Sequence, residues 1–311
     1  MIPTRCIRLS DQKSISFPML GLGTYKISGT DGKEAIKQAI DVGYRMFDTA
    51  VAYGNEAIVG EAIRDALREH SHLTREDFFV ISKLCGTQHR FDLVENCCRT
   101  SVEKLGLDYI DLYLMHTPVA LRCTEKSLTK GSVQNSFDDT ISPTEAWFGL
   151  EKCYQEGICR SIGVSNFNEQ QLNTLLQEGS VLPAVNQVEC SVGFNQKSLR
   201  QFCEHQQVLV MGYSPLGKQK LSFLSNQSVN EIALSVGKTP AQVCLRYLID
   251  GGVVPIVKSS NRSRQQENMD VFDFVLTAQQ LKVLDAIAGQ DRACNMHHLS
   301  AAKHFPFTDG A

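Results

Sequence analysis

The stretch Tyr44-Arg45-Met46-Phe47-Asp48-Thr49-Ala50-Val51-Ala52-Tyr53-Gly54 decides which fold we expect for this chain. It opens as an apolar run, which predicts a strand over residues 44–50, and it places Asp48 and Tyr53 where that run ends. In parallel α/β proteins, the carboxyl ends of the strands carry the catalytic groups. The stretch therefore predicts a strand of a parallel sheet and half of a proton-transfer site.

The same alternation of apolar strand and amphipathic helix continues through the chain. Seven further apolar runs predict strands over residues 20–24, 78–84, 109–115, 159–164, 184–188, 208–213 and 253–257. Eight such units predict an α/β protein with a single domain over residues 1–311, namely a (β/α)8 TIM barrel. A hairpin over residues 5–20 would cap the bottom, and long loops plus the C-terminal tail would lie at the catalytic face. An open doubly wound sheet is the alternative.

Composition excludes several classes of protein. Hydrophobic residues make up 42% and charged residues 21% of the 311 positions, as in globular domains, and the net charge is −3. No block of basic residues is present, so we expect neither nucleic acid nor a membrane surface as a partner. The eleven cysteines are scattered without a C-x-x-C pair, which argues against a metal site and favours a reduced, cytoplasmic protein.

Two more strand ends supply groups that complement Asp48 and Tyr53. Lys83 closes the third predicted strand and His116 the fourth, and sequential strands of a barrel are neighbours. Each of these residues alone is more commonly solvated or structural. Four complementary groups at successive positions favour a catalytic site.

The set suits reduction of a carbonyl group, in which a cofactor supplies hydride and the protein supplies a proton. A free tyrosine has a pKa of about 10, and a neighbouring cation lowers that value. We expect Lys83 to be this cation, held by Asp48, and Tyr53 to be the general acid. His116, as a neutral donor, would bind the carbonyl oxygen.

A nucleotide site is predicted late in the chain. The segment Gly21–Lys26 does not fit the Rossmann pattern, because Lys26 stands where the third glycine should be. Residues 257–264 follow the last strand and open a helix, a common phosphate site in barrels, and their basic side chains favour NADP over NAD. A solvated basic turn is the alternative. Strands five and six end at Ser165-Asn166 and Gln187, whose polar side chains could bond a carboxamide. Strand seven ends at Tyr213, whose aromatic ring could stack on nicotinamide.

At this point the chain resembles the aldo-keto reductase superfamily over nearly its full length. The matching segments are Phe47–Ala50, Ser82–Leu84, Leu105–His116, Ile162–Phe167, and Lys258-Ser259 with Arg264, Glu267 and Asn268. The resemblance implies a barrel that uses NADPH without a Rossmann fold, and a catalytic tetrad at Asp48, Tyr53, Lys83 and His116. It implies cofactor binding by Gly23, Thr24, Asp48, Ser165, Asn166, Gln187, Tyr213, Ser214, Leu216, Lys258, Ser259, Arg264, Glu267 and Asn268.

Departures from the family pattern lie mostly in the expected substrate pocket. Many relatives carry Trp where this chain has Cys85, an aromatic residue where it has Thr117, and Trp where it has Tyr25. The substrate-binding residues we expect are Tyr25, Tyr53, Cys85, His116 and Thr117, in a reshaped pocket. For Trp147, burial within its helix is the expected role.

The predicted activity is NADPH-dependent reduction of aldehydes or ketones by a monomer. Two alternatives stay open. One is a non-enzymatic, reductase-like subunit that senses NADPH, and the other is a Schiff-base lyase that uses Lys83. The roles of the long loop over residues 117–141 and of the tail are left undecided.

Overall fold

The computed structural model describes residues 2–9, 11, 13–122, 137–217, 222–287 and 292–307. The strands in this part of the chain are β1 (Thr4–Arg8), β2 (Ser14–Pro18), β3 (Gly21–Gly23), β4 (Met46–Asp48), β5 (Phe79–Leu84), β6 (Leu112–Met115), β7 (Ile162–Ser165), β8 (Val185–Glu189), β9 (Leu209–Tyr213) and β10 (Val254–Val257). The helices are α1 (Gly29–Val42), α2 (Glu56–Glu69), α3 (Phe91–Leu105), α4 (Pro143–Gln155), α5 (Glu169–Glu178), α6 (Lys197–His205), α7 (Gln227–Val236), α8 (Pro240–Asp250), α9 (Arg262–Met269) and α10 (Ala278–Asp285).

Strands β3 to β10 form a closed parallel barrel. Their order follows the sequence, and β10 pairs with both β9 and β3 to complete the ring. The prediction of a (β/α)8 barrel is therefore confirmed, and the open doubly wound sheet is wrong. Closure brings the carboxyl ends of all eight strands to one rim, where the predicted catalytic side chains lie.

The predicted hairpin closes the other end of the barrel. Strands β1 and β2 pair antiparallel, with Ile7 opposite Ile15 and Arg5 opposite Phe17. The ring of Phe17 is fully buried and lies 4.8 Å from that of Phe79 at the start of β5. Ile15 and Phe17 thus belong to the apolar cluster that fills the lower barrel, and the hairpin acts as a plug.

Several strands are shorter than their apolar runs predict. Strand β4 begins at Met46, which pairs with Phe79, whereas the run begins at Tyr44. Tyr44 is fully buried outside the strand, and its hydroxyl donates to the carbonyl of Gln265 on α9 at 3.4 Å. An apolar run predicts that a segment is buried, but only residues that hydrogen-bond to a neighbouring strand belong to the sheet, so the strand can be shorter than the run.

The helices pack around the barrel at close range. A Cβ atom added to Gly60 of α2 would lie only 1.7 Å from the carbonyl oxygen of Leu105 at the end of α3. Trp147 and Cys98 are fully buried and Cys97 is 8% exposed, as predicted for helix core positions. After β9 the chain forms α7 and α8 in series, and α8 packs against β10. No helix in the described ranges is long and apolar enough to cross a membrane.

The described part of the C-terminal tail, residues 292–307, lies over the catalytic rim. The sequence of this region is polar and irregular, yet Leu299 and Ala302 pack with Val119 from the loop after β6. That loop pairs Leu121 with Phe137, and residues 123–136 of the predicted 117–141 loop lie outside the described part of the chain. The tail and this loop therefore form one wall of the catalytic mouth.

Candidate active site

A buried ion pair forms the centre of the site. Asp48 ends β4 and Lys83 lies near the end of β5, so parallel pairing places both at the rim. The Lys83 ammonium donates to Asp48 Oδ1 at 2.6 Å and to the carbonyl of Thr49 at 2.9 Å. The second oxygen of Asp48 accepts from the Gln187 amide at 2.7 Å. Both charged groups are thus removed from water with their hydrogen-bonding capacity used, which fixes their positions.

Tyr53 completes the cluster from the turn after β4. A short 3-10 turn over Val51–Tyr53 carries its hydroxyl to 3.4 Å from the Lys83 amine. Burial raises the pKa of this phenol well above its usual value, and the Asp48 carboxylate raises it further. Our expectation that Lys83 lowers the pKa is wrong for this structure, because desolvation of the phenolate outweighs its attraction to the ammonium. The phenol therefore keeps its proton near neutral pH, as a proton donor must.

His116 faces Tyr53 across the mouth. The two rings lie edge to face with centroids 5.6 Å apart. Burial, together with the nearby Lys83 charge, lowers the pKa of His116 to about 3. The imidazole is consequently neutral at physiological pH, as the sequence predicted, and can donate one N–H to an oxygen placed beside the phenol.

Hydrogen-bonded polar groups at the next three strand ends lie beside the cluster. Ser165 Oγ donates to the Gln187 carbonyl at 2.8 Å, and the Asn166 amide donates to the His116 carbonyl at 2.9 Å. The Tyr213 hydroxyl donates to Asn166 Oδ1 at 2.7 Å. Asn166 adopts a left-handed backbone conformation with φ 63°, which is costly for a non-glycine residue and is maintained by these contacts. The structure thus brings together all four residues predicted to face nicotinamide.

The late loop has the charge expected of a phosphate site. Asn261 caps α9 by accepting from the Arg264 backbone N–H at 3.0 Å, and Arg262 lies 3.8 Å from the Asp41 carboxylate. Among the described residues, neither Lys258 nor Arg264 forms an ion pair, and both side chains are exposed. Uncompensated cations at a helix N-terminus fit a phosphate group, so this part of the chain is suited to NADPH.

The other predicted cofactor residues flank this loop or the rim. Thr24 donates through both its N–H and its hydroxyl to the Asp48 carbonyl at 2.9 Å, and a Cβ on Gly23 would approach Ile256 to 3.2 Å. Ser214 and Leu216 lie in the turn that follows β9. Three more residues are engaged with the protein itself. Ser259 contacts Asn261, Glu267 accepts from Thr239, and Asn268 hydrogen-bonds Tyr44.

The expected pocket residues surround the mouth with unequal exposure. The Tyr25 ring lies 5.1 Å from that of Tyr53 and is 49% exposed. Cys85 follows β5 and accepts from the Thr87 hydroxyl at 3.3 Å, and Thr117 follows His116 directly. Trp147 is buried in α4, as expected, and does not line the mouth. No group of three or more His, Cys, Asp or Glu within the described ranges could hold a metal ion.

The sequence analysis missed the residues that attach the tail to the rim. Glu189, at the end of β8, accepts from the backbone N–H groups of Ala293 at 2.8 Å and Cys294 at 2.7 Å. Asn168 and Gln171 of α5 donate to tail carbonyls at 3.1 Å and 3.0 Å. A carboxylate that ends an apolar strand, like Asp48, was the one signal available for Glu189. Nothing local in the sequence indicates which tail residue it binds.

Comparison with known proteins agrees with this geometry. The aldo/keto reductase family model matches residues 19–288. Aldo-keto reductase family 1 member C15 of Rattus norvegicus is 38% identical over 320 residues, covering 98% of each chain. Estradiol 17 beta-dehydrogenase 5 of Mus musculus is 38% identical over 317 residues and 97% of each chain.

Solved structures give the same answer. A Bombyx mori aldo-keto reductase in complex with NADP superposes with a TM-score of 0.88 at 33% identity, covering 98% of this chain and 100% of the other. The aldose reductase of Schistosoma japonicum gives 0.90 at 33% identity, over 99% and 100%. The resemblance noted in the sequence is thereby confirmed, and the chain belongs to the aldo/keto reductase family.

Proposed function

We propose that this protein reduces aldehyde or ketone carbonyls to alcohols with NADPH, and that Tyr53 is the general acid. The observation that carries the proposal is the convergence of the phenol of Tyr53, the amine of Lys83 and the carboxylate of Asp48, with a neutral His116 facing the phenol. Family membership supports the reaction type and the cofactor.

Each residue has a distinct part in this mechanism. NADPH, when bound, supplies the hydride. His116 donates its N–H to the carbonyl oxygen and polarises it, while Tyr53 delivers its proton to that oxygen as negative charge develops. The Lys83 ammonium then stabilises the phenolate left behind, and Asp48 keeps that ammonium in place. A raised pKa of Tyr53 keeps the proton on the phenol until the oxygen becomes basic.

The geometry of Lys83 argues against the lyase alternative. Its side chain is 1% exposed, and its three N–H groups have acceptors at Asp48, Thr49 and Tyr53. Burial lowers the pKa of Lys83, which would help a nucleophile. An amine enclosed on all three sides nevertheless has no lone pair directed to a substrate carbonyl.

We further propose that bulky, apolar carbonyl compounds are preferred over sugars. The wall formed by the tail and the loop after β6 contains the partly buried side chains of Leu121, Met296 and Phe305, so we expect a substrate entering past it to meet apolar groups. Cys85 and Thr117 leave room beside the catalytic residues. One relative is named as an estradiol dehydrogenase, which supports including ketones of that size. A cytoplasmic monomer is part of the same proposal.

The decisive experiment replaces the proton donor. Tyr53→Phe should lower kcat for an aromatic aldehyde by at least about a thousandfold, since general acid catalysis contributes up to about 10⁴ and phenylalanine cannot replace it. The Kd for NADPH, measured by calorimetry, should change little. Tyr109→Phe is the matched control, because it removes a phenol hydroxyl before the start of β6, at the end of the barrel away from the rim, and should leave kcat nearly unchanged.

Two outcomes would overturn parts of the proposal. Retained turnover in Tyr53→Phe would remove this residue as the acid. Tight NADPH binding by the unmodified protein, with no turnover of any aldehyde or ketone in a broad panel, would instead favour the NADPH-sensing subunit.

A further inference from the structure

The start of the C-terminal tail is held directly beside the predicted nicotinamide site. Glu189 fixes the backbone at Ala293 and Cys294 through two hydrogen bonds of 2.8 Å and 2.7 Å. Because Glu189 ends β8 and is 1% exposed, these bonds are shielded from water and attach the tail to the barrel itself. Arg292 directly precedes Ala293, so its side chain also lies beside the predicted nicotinamide site.

Arg292 occupies an unusual environment for a guanidinium group. It lies between two aromatic rings, with its Cζ 3.5 Å from the centroid of Phe307 and 4.6 Å from that of Phe194. Phe307 belongs to the far end of the tail and Phe194 to the loop after β8, so the arginine joins three segments. Stacking of a desolvated guanidinium on aromatic faces is attractive, because the cation lies over the negative face of each ring. The rings therefore restrict the orientation of the guanidinium plane.

The guanidinium of Arg292 interacts electrostatically with Tyr213. Burial lowers the pKa of the guanidinium, whereas Tyr213 and Glu189 raise it, partly through a hydrogen bond with the Tyr213 side chain. Its Nη1 is buried and has no hydrogen-bond partner among the described residues. Glu189 already attaches the tail to the barrel, so attachment alone does not explain a buried cation at this position.

A chain of hydrogen bonds leads from Tyr213 to the catalytic residues. The Tyr213 hydroxyl donates to Asn166 Oδ1 at 2.7 Å, and the Asn166 amide donates to the carbonyl of His116 at 2.9 Å and to Ser165 Oγ at 3.1 Å. The positive charge of Arg292 beside the first member of this chain favours the Tyr213 oxygen as an acceptor, which agrees with the hydroxyl hydrogen pointing at Asn166. Both Tyr213 and Asn166 are predicted nicotinamide contacts.

We propose that Arg292 is a positioning residue for the nicotinamide half of the cofactor, acting through Tyr213 and Asn166. It touches neither the reacting atoms nor the phosphate site, and the inference rests on the proposed NADPH-dependent function. Through Arg292, the tail would help to orient the Tyr213 ring and the Asn166 amide.

The test compares the binding of two ligands that share the adenosine 2′-phosphate half of the cofactor. NADPH contains nicotinamide, whereas adenosine 2′,5′-bisphosphate contains only the part directed to Lys258 and Arg264. Arg292→Gln should weaken NADPH binding by roughly three- to tenfold, the equivalent of one lost ordinary hydrogen bond, and should leave bisphosphate binding within about twofold. Calorimetry measures both constants without turnover.

Rescue and a matched control separate positioning from simple anchoring. Arg292→Lys keeps the charge beside Tyr213 and should recover part of the NADPH affinity. Gln171→Ala removes the 3.0 Å bond to the tail carbonyl of His304 without touching Tyr213, so it should reduce thermal stability but not the ratio of the two affinities. An equal loss for both ligands in Arg292→Gln, or the same pattern in Gln171→Ala, would overturn the proposal.

Failure of the underlying function gives a different result. If the unmodified protein binds bisphosphate and NADPH with equal affinity, nicotinamide is not recognised and the proposed function itself is wrong. If Arg292→Gln does not fold, the test uses Arg292→Lys and its ratio of NADPH affinity to bisphosphate affinity. A ratio equal to that of the unmodified protein would refute a role for the planar guanidinium.

Discussion

The buried pair of Asp48 and Lys83 gives the sharpest stability prediction. Their side chains are 4% and 1% exposed, and the variant Asp48→Asn removes the negative charge while keeping the shape. Breaking such a pair by removing one partner costs about 3–5 kcal/mol, because the remaining charge is buried without compensation. Lys83 retains the Thr49 carbonyl at 2.9 Å, which places the expected cost near the lower limit, about 3 kcal/mol.

The cost should depend on pH in a definite direction. Burial lowers the pKa of Lys83 in the folded protein, and Asp48 opposes that effect, so the variant lowers this pKa further. The folded variant then binds fewer protons than the unfolded chain, whose lysine has a pKa of about 10.4. The free energy of unfolding of the variant must therefore rise with pH between the lowered folded-state pKa of Lys83 and its unfolded pKa. The loss of stability in Asp48→Asn, relative to the unmodified protein, should be larger at about pH 6 than at about pH 9.

The assay is urea denaturation followed by circular dichroism, at both pH values, for the unmodified protein and two variants. Replacing both partners, as in Asp48→Asn with Lys83→Met, removes the uncompensated charge and should restore about 1 kcal/mol or more relative to Asp48→Asn alone. Activity is absent from both variants and plays no part in the comparison. The reasoning is refuted if the double variant is the less stable of the two at about pH 6, or if the deficit does not shrink as pH rises.

Three further outcomes are expected. Since the pKa of His116 is lowered to about 3 and that of Tyr53 is raised well above 10, kcat/KM for carbonyl reduction should be flat between about pH 5 and pH 8, and a limb near pH 6.5 would contradict a neutral imidazole. Gly60→Ala should lower the thermal midpoint by about 4–8 °C, because its Cβ would lie 1.7 Å from the Leu105 carbonyl oxygen; scanning calorimetry measures this, and an unchanged midpoint would show that α2 and α3 can separate. Arg264→Ala should raise the Kd for NADPH about tenfold and leave that for NADH nearly unchanged by calorimetry, whereas equal effects on both would exclude a contact with the 2′-phosphate.

The convergence of the proposed tetrad was predictable, because three members end apolar runs and Tyr53 follows five residues after Asp48. An apolar run that ends in Asp48, Lys83 or His116 marks both a strand and the residue at its end, and parallel order then places the three together. The proposed phosphate site was predicted for a similar reason, since basic residues around Lys258 stand between a strand and a helix. These inferences need only periodicity and chain order.

The protonation state of the site was not predictable in the same way. The sequence shows that Tyr53 is near Lys83, and from that proximity a lowered pKa was expected. Burial of the phenol, which follows from the packing of the turn and of the tail over the rim, reversed the direction. A pKa depends on how much water remains around a group, and only the tertiary structure specifies that.

By itself, the sequence determined the barrel, the order of its strands, the hairpin plug and the four residues that face one another at the rim. Only the tertiary structure decided the contacts of Gln187 with Asp48, of Glu189 with the tail, and of Arg292 with Phe194 and Phe307. The physical reason is one of range. Backbone periodicity involves neighbouring residues, whereas Gln187 and Asp48 are 139 positions apart and Glu189 and Cys294 are 105 positions apart. A hydrogen bond of 2.7 Å also requires an orientation that no local pattern encodes.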